Sequence, residues 1–326
     1  MATSLTTSPN TIEQFVDVMN RNILEKDYFR NIYDQAPEEY SELVQVQSTP
    51  RPFNIYTGYQ GIARPQRNRD LESIPQRSSV KSNKSTILQV PYRSGITIEK
   101  FMIEAAEHRQ VLDNMRDFVE SEKTLRDAVA ADVYNNGFSV QPYDFVESAD
   151  NTQRALFSST HKREDNGATY SNYINTALPP NISTLFSIMA TMKRYTDNVG
   201  NFIAMNATFT MLIPSLQPDW MKAAREIVDS MDDPETSDRS INALKREFQI
   251  GTRTINNFTS NGKWFLRVDT GKRWFPVRME VFREPEFSPL INMAQGGNPD
   301  AYYSRLRSYF GVGLFGSARG VFAVGA

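Results

Sequence analysis

The chain has 326 residues, 40% hydrophobic and 23% charged, enough to bury the core of one large or two ordinary domains. It contains no cysteine and two histidines, which excludes disulfides, thiolate nucleophiles, iron–sulfur clusters and cysteine-based zinc sites by inventory. The formal net charge of −2 hides a segregation: residues 1–50 carry three bases against eight acids, residues 51–95 eight bases against two acids, and residues 96–135 five bases against nine acids.

The opening MATSLTTSPN has neither a basic start nor an apolar stretch, so no export signal is expected. The longest apolar runs, such as FTMLIP at 209–214, fall far below the roughly 20 residues of a membrane helix, so the expectation is a soluble protein kept in a reducing compartment, with no membrane partner. Over 11–33, Ile12, Phe15, Val16, Met19 and Ile23 recur at three- and four-residue steps, which predicts a helix packed by one face on protein. Thr11 with Gln14 supplies a capping box. The acidic polar face of this helix argues against a membrane surface, which favours Lys and Arg.

Residues 47–95 are rich in Ser, Asn, Gln, Arg and Pro, with prolines at 50, 52, 65, 75 and 91. So long a stretch without helical period is either disordered or an extended arm whose partners lie on another surface, and we read it as an arm. Within it STILQVPYRS at 85–94 predicts the return strand of a long hairpin.

The stretch from Ile96 to Asn136 is free of Gly and Pro and predicts one helix, stopped by Asn135, Asn136 and Gly137. Ile98, Phe101, Ala105, Leu112, Met115, Val119, Val129 and Val133 form its stripe, while His108, Glu122 and Arg126 interrupt a coiled-coil seam. About 40 residues at roughly 1.5 Å each would give about 60 Å, a backbone for the subunit.

Beyond residue 140 the pattern is mixed, giving an α+β class. Helices are predicted at 181–196 and 217–230, and strands at 203–213, 263–268 and 274–283. Asp269, Thr270 and Gly271 between the last two runs predict a hairpin, and 229–240 reads as a polar surface loop.

The best-known chemical motif is G-x-G-x-x-G, at Gly311, Gly313 and Gly316. A dinucleotide site needs a strand before it, a helix after it and an acid about 20 residues on. Only ten residues follow Gly316 and none is acidic, so the glycines are read as points where strands bend and backbones approach. His161 lies beside Ser158, Ser159 and Asp165, but a triad crowded into one segment without a nucleophile elbow reads as structure, as does His108 within its helix. We therefore expect no catalytic residues, cofactor or metal. Arg64, Arg67, Arg69, Arg77, Lys81 and Lys84 could grip nucleic acid, or reach an acidic face of an identical neighbour; head-to-tail copies of the second contact build rings and shells.

The order of parts, together with LFSSTHKREDNGATYSN at 156–172 and the closing YFGVGLFGSARGVFAV, resembles the major capsid proteins of tailed bacteriophages. These have the Hong Kong 97-type fold, and the likeness is to the phage Mu-like head-subunit branch. The resemblance implies an N-arm at 1–50 with contacts through Ile12, Phe15 and Met19, and an extended E-loop at 51–95 carrying the six basic intersubunit residues. It implies a peripheral domain at 96–140 with its spine helix, an axial domain at 141–300, and a return to the peripheral domain at 301–326. The implied role is an icosahedral head of hexamers and pentamers around packaged double-stranded DNA, with scaffold and portal partners, assembled in the bacterial cytoplasm and retained in the virion. Some relatives begin with a scaffolding region that is not seen here, which implies a separate scaffold or a processed chain. Some weld subunits by lysine–asparagine bonds; Lys81 and Lys84 occupy the corresponding stretch, but no local feature identifies their partners. The rival with the same fold is an encapsulin, a shell around an enzyme cargo, and the rival from another class is a monomeric DNA-binding protein.

Overall fold

The computed structural model describes Gln14, Val16 and residues 32–59, 81–104, 108–147, 149–163, 167–196, 202, 208–230, 242, 244, 247–260, 262–269, 276–288, 290–292 and 300–325. In chain order the elements are α1 (Tyr40–Leu43), β1 (Gln45–Ser48), β2 (Phe53–Tyr59), β3 (Lys81–Leu88), β4 (Val90–Glu99), α2 (Lys100–Glu104) and α3 (His108–Asn135). The short strands β5 (Val146–Glu147), β6 (Thr152–Gln153), β7 (His161–Lys162), β8 (Thr169–Tyr170) and β9 (Tyr173–Ile174) follow. Then come α4 (Ile182–Lys193), β10 (Thr208–Pro214), α5 (Pro218–Asp229), β11 (Gln249–Ile255), β12 (Lys263–Asp269) and β13 (Val277–Phe287). Last are β14 (Ile291–Asn292), β15 (Ala301–Leu314), a 3₁₀ turn at Ala318–Gly320 and β16 (Val321–Gly325). Two compact units divide the chain, one holding residues 1–38, 89–127 and 281–310, the other 39–88, 128–280 and 311–326.

The second unit is built on a five-stranded sheet ordered β11-β10-β12-β16-β9. β10 runs parallel to β11 and antiparallel to β12, and β16 runs antiparallel to β12 and parallel to β9. One face is covered by α4 and α5: Leu185, Ile188, Met189, Met192, Ala224 and Ile227 pack on Phe209, Met211, Ile213, Trp264, Leu266, Val268, Phe322 and Val324. The other face presents Phe265 to an aromatic cluster, with Tyr134, Phe157 and Phe258 at centroid distances of 5.4, 5.2 and 4.9 Å. Cover on both faces explains why β16 is buried at every position and reads as a continuous apolar run. α4 starts as its sequence directs, Asn181 capping the backbone N–H of Thr184, and α5 carries its proline in the first turn.

In the first unit β4 pairs antiparallel with β15 over its whole length, from Glu99 opposite Ala301 to Val90 opposite Phe310. Period two then sorts the side chains of β15: Tyr302, Ser304, Leu306, Ser308 and Phe310 are buried, while Tyr303, Arg305, Arg307 and Tyr309 face outward. The buried face packs on the start of α3, with Ile98, Leu290 and Tyr302 against Val111, Met115 and Val119. α3 also buries the charged residues Glu122, Lys123, Arg126 and Asp127: Arg126 Nε donates to Glu122 Oε1 at 2.8 Å, and the Tyr33 hydroxyl donates to Glu122 Oε2 at 2.7 Å. Beside them Lys123 donates to the Ala36 carbonyl at 2.9 Å and pairs with Glu38 at 3.2 Å, so these bonds tie residues 33–38 to the helix.

Three expectations are corrected. The helix predicted over 96–136 begins only at Lys100, and α3 itself spans 28 residues, about 42 Å. Ile96 and Ile98 belong to β4 because the alternating β-branched run Ile96-Thr97-Ile98 finds a full ladder on β15. Phe101, placed on the buried stripe, is 70% exposed. The hairpin predicted at Asp269–Gly271 does not form, since β12 pairs with β10 and β16 whereas β13 belongs to another sheet. Residues 203–207, the polar excursion at 231–241 and most of the helix predicted over 11–33 lie outside the described residues, although Gln14 and Val16 are helical.

Candidate assembly surface

Of the predicted arm, Phe53–Tyr59 and Lys81–Leu88 form a hairpin, whereas the return strand expected over 85–94 ends at Leu88 and residues 90–95 belong to β4, paired with β15. β2 and β3 pair antiparallel, Phe53 opposite Leu88, Ile55 opposite Thr86, Thr57 opposite Lys84 and Tyr59 opposite Lys81, with the register slipping between Thr57 and Tyr59. Alternation gives it two unlike faces.

The inner face is anchored to its own unit. Glu280, fully buried, accepts hydrogen bonds from Asn54 Nδ2 at 2.6 Å and from the Tyr56 hydroxyl. Burial raises the Glu280 carboxyl above its ordinary range. The guanidinium of Arg278 lies 3.8 Å from the Phe315 ring centroid and 5.1 Å from that of Tyr56, a cation–π stack in a site whose burial lowers the arginine pKa. Asn83 Nδ2 donates to the carbonyl of Gly316 at 3.2 Å. Here the glycine motif finds its role. A Cβ on Gly313 would stand 2.8 Å from Ile87 Cγ1, and Gly316 has φ +73°, where side chains are disfavoured. The glycines seat the hairpin base against the chain's last strands.

The outer face is open. Phe53, Ile55 and Leu88 are 53%, 56% and 64% exposed, and Lys84 on the same face is exposed too. Lys81 lies in β3. Arg64, Arg67, Arg69 and Arg77 lie outside the described residues, as do Ile12, Phe15 and Met19. Sequence reasoning expected a hairpin here but carried its return strand past Leu88, and it missed Glu280, Arg278 and the anchoring role of the final glycines. The available signal was two charges two residues apart, Arg278 and Glu280, within the otherwise apolar run VRMEVF at 277–282.

His161 is fully buried, with Nδ1 2.8 Å from Glu147 Oε1 and Nε2 3.2 Å from the Leu156 carbonyl. Its ring stacks on Tyr170 at 5.1 Å, and Glu147 also accepts from Arg154 Nε at 2.6 Å. With both ring nitrogens engaged inside the core, the histidine holds loops together. Among the described residues no group of three or more His, Asp or Glu side chains is spaced to hold a metal ion, and no helix is long and apolar enough to cross a bilayer.

No protein-family profile matches this sequence, and no curated protein matches it in sequence. Solved structures do match in fold. The procapsid protein of bacteriophage JBD30 is similar with 13% identity and TM-score 0.51, over 95% of this chain and 75% of that one. A structure of Mycobacterium phage Patience is similar with 12% identity and TM-score 0.50, over 95% and 87% of the two chains. The capsid of cyanophage P-SCSP1u follows with 9% identity and TM-score 0.50, over 89% and 88%. At such identities the likeness is one of fold, and it runs nearly end to end: the chain has the α+β, Hong Kong 97-type fold of tailed-phage capsid subunits.

Proposed function

We propose that this chain is the major capsid protein of a tailed phage, a structural subunit without a reaction to catalyse, which assembles as hexamers and pentamers into an icosahedral head around double-stranded DNA. The observation that carries the reading is the extent of the fold likeness, 95% of the chain against a procapsid subunit, so that no part of appreciable size is left over for a different activity. The hairpin supports it. Its inner face is anchored on its own unit, while its outer face leaves Phe53, Ile55 and Leu88 exposed at the root of a basic excursion, a combination suited to lying on a second copy.

In this reading residues 1–50 are the N-arm, 51–95 the E-loop, 96–140 the peripheral domain with α3 as its spine, 141–300 the axial domain, and 301–326 the return. Ile12, Phe15 and Met19 are N-arm contacts; Arg64, Arg67, Arg69, Arg77, Lys81 and Lys84 are E-loop contacts to a neighbour. Scaffold and portal proteins are its partners during assembly in the host cytoplasm, and the virion is its final location.

The test is electron microscopy and sedimentation of the expressed chain, with nuclease digestion of any particles obtained. Closed shells of megadalton mass are expected, holding nuclease-protected DNA when isolated from phage-producing cells. A slow 37.2 kDa species at all concentrations would overturn the reading, and shells filled with a protein cargo would replace it with an encapsulin.

A further inference from the structure

The outward face of β4 and β15 carries an unbalanced charge pattern. Arg93 stands directly opposite Arg307 in the ladder, and Arg305 stands opposite Gly95. Like charges placed opposite one another in an antiparallel pair destabilise it, and Arg305, two residues along the same face from Arg307, adds to the repulsion. One carboxylate answers these three cations: Glu286 pairs with Arg307 at 2.9 Å. Glu284 on the same strand is taken by the buried Arg126 at 3.4 Å. Among the described residues neither Arg93 nor Arg305 has an acidic partner.

These strands also enclose a groove of about 440 Å³, lined by Arg93, Ser94 and Gly95 of β4 and by Tyr303, Arg305 and Arg307 of β15. Gly95 shapes it. A Cβ at this position would overlap the Tyr303 hydroxyl and come within 2.7 Å of its Cζ, so glycine is what lets the phenol ring lie across β4. Beyond Arg307 along the same face, the Tyr309 hydroxyl accepts a hydrogen bond from Arg93 Nη2 at 3.4 Å. That bond, with the charges of Arg93, Arg307 and Arg283, lowers the phenol's pKa, so the local field is positive.

We propose that this groove binds phosphate groups, and that the phosphodiester backbone of duplex DNA is the ligand it takes. Glu286 answers one of the three guanidinium groups, through a single bond from Arg307 Nε to its Oε2. A duplex sets one phosphate charge about every 1.7 Å of helix axis, a line of anions that a cluster of arginines meets with several guanidinium groups at once, where an isolated carboxylate meets one. The site stands on the geometry of one unit and holds whether or not the chain forms a shell.

The test uses the full chain, a fluorescent DNA duplex of about 30 base pairs, pyrophosphate and an oligoglutamate peptide, with sedimentation recorded on the same samples so that failure to assemble is scored separately. Anisotropy over a salt series is expected to give a log affinity against log salt slope that falls by about 0.9 per arginine removed. That is about 1 for Arg305→Gln and about 3 for the variant carrying Arg93→Gln, Arg305→Gln and Arg307→Gln, with about a tenfold or larger loss of affinity in the latter. Arg305→Gln guards against misfolding, because the side chain is exposed and has no acidic partner to lose. Equal affinities and slopes in all three proteins overturn the proposal. Calorimetric binding of pyrophosphate without binding of the duplex overturns DNA as the source of the phosphate. Binding of oligoglutamate that the triple variant loses, with neither phosphate probe bound, overturns the site in favour of a protein-docking face.

Discussion

Asp144 is 4% exposed and only half satisfied: Oδ2 accepts the backbone N–H of Gln141 at 2.7 Å, while Oδ1 has no hydrogen-bond partner. Burial outweighs that single bond and pushes the carboxyl up to about 6. Because this value lies above the unfolded one near 3.9, the folded protein holds the proton more tightly. The group therefore favours folding at acid pH, and that contribution is lost as pH rises from about 4 to about 6. Asp144→Asn keeps an acceptor without the charge. It is expected to raise stability at pH 7 by about 1–2 kcal/mol and to change it little at pH 4, as read by urea denaturation at the two pH values. An equal effect at both would mean that ionisation is not what Asp144 contributes. The same scale explains the final glycines, whose motif is a fingerprint only in a setting this chain lacks; Gly313 and Gly316 answer to a neighbouring isoleucine and to a positive φ.

Among the elements, α3 decides most. Its apolar stripe is interrupted by Glu122 and Arg126, whose side chains are 0% and 3% exposed and form an i,i+4 pair inside the unit. Removing one partner strands a buried charge, so Arg126→Met is expected to cost about 3–5 kcal/mol. Glu122→Leu combined with Arg126→Met should cost clearly less than the two single changes summed, a coupling that a double-mutant cycle in urea measures; strict additivity would show the pair to be independent. How much of the fold was legible in the sequence varied by element. α4 and α5 fell within a few residues of expectation because their caps and periodicity are local signals. The end of β4, residues 96–99, was misassigned as helix because a run such as ITIEKFMIE suits either state, and its choice is made by β15, some two hundred residues later. The missing hairpin at Asp269–Gly271 has the same origin, since strand partners are set by the sheet and not by the turn. The hairpin anchors were hidden for that reason as well: Asn54 and Tyr56 meet Glu280 across more than two hundred residues.

For the whole molecule, the charge segregation of the sequence becomes a claim about association. Reversing Arg64, Arg67 and Arg69 together to Glu is expected to leave the subunit folded, with an unchanged circular dichroism spectrum and urea midpoint, while particles disappear from sedimentation profiles. Normal particles from that variant would remove the electrostatic basis assigned to the arm. A different consequence follows from the place of β16. It sits between β12 and β9, and its partners at 263–267 and 173–174 are made long before it during synthesis. Until those last residues are available, β12 keeps a naked edge rich in aromatic side chains, open to pairing with any other chain. A protein made in large quantity at one time would pass through this sticky stage many times over in parallel. Its yield should therefore be governed by whatever shields the growing polypeptide, so raising chaperonin levels during expression should lift the soluble fraction more than lowering denaturant during refolding does.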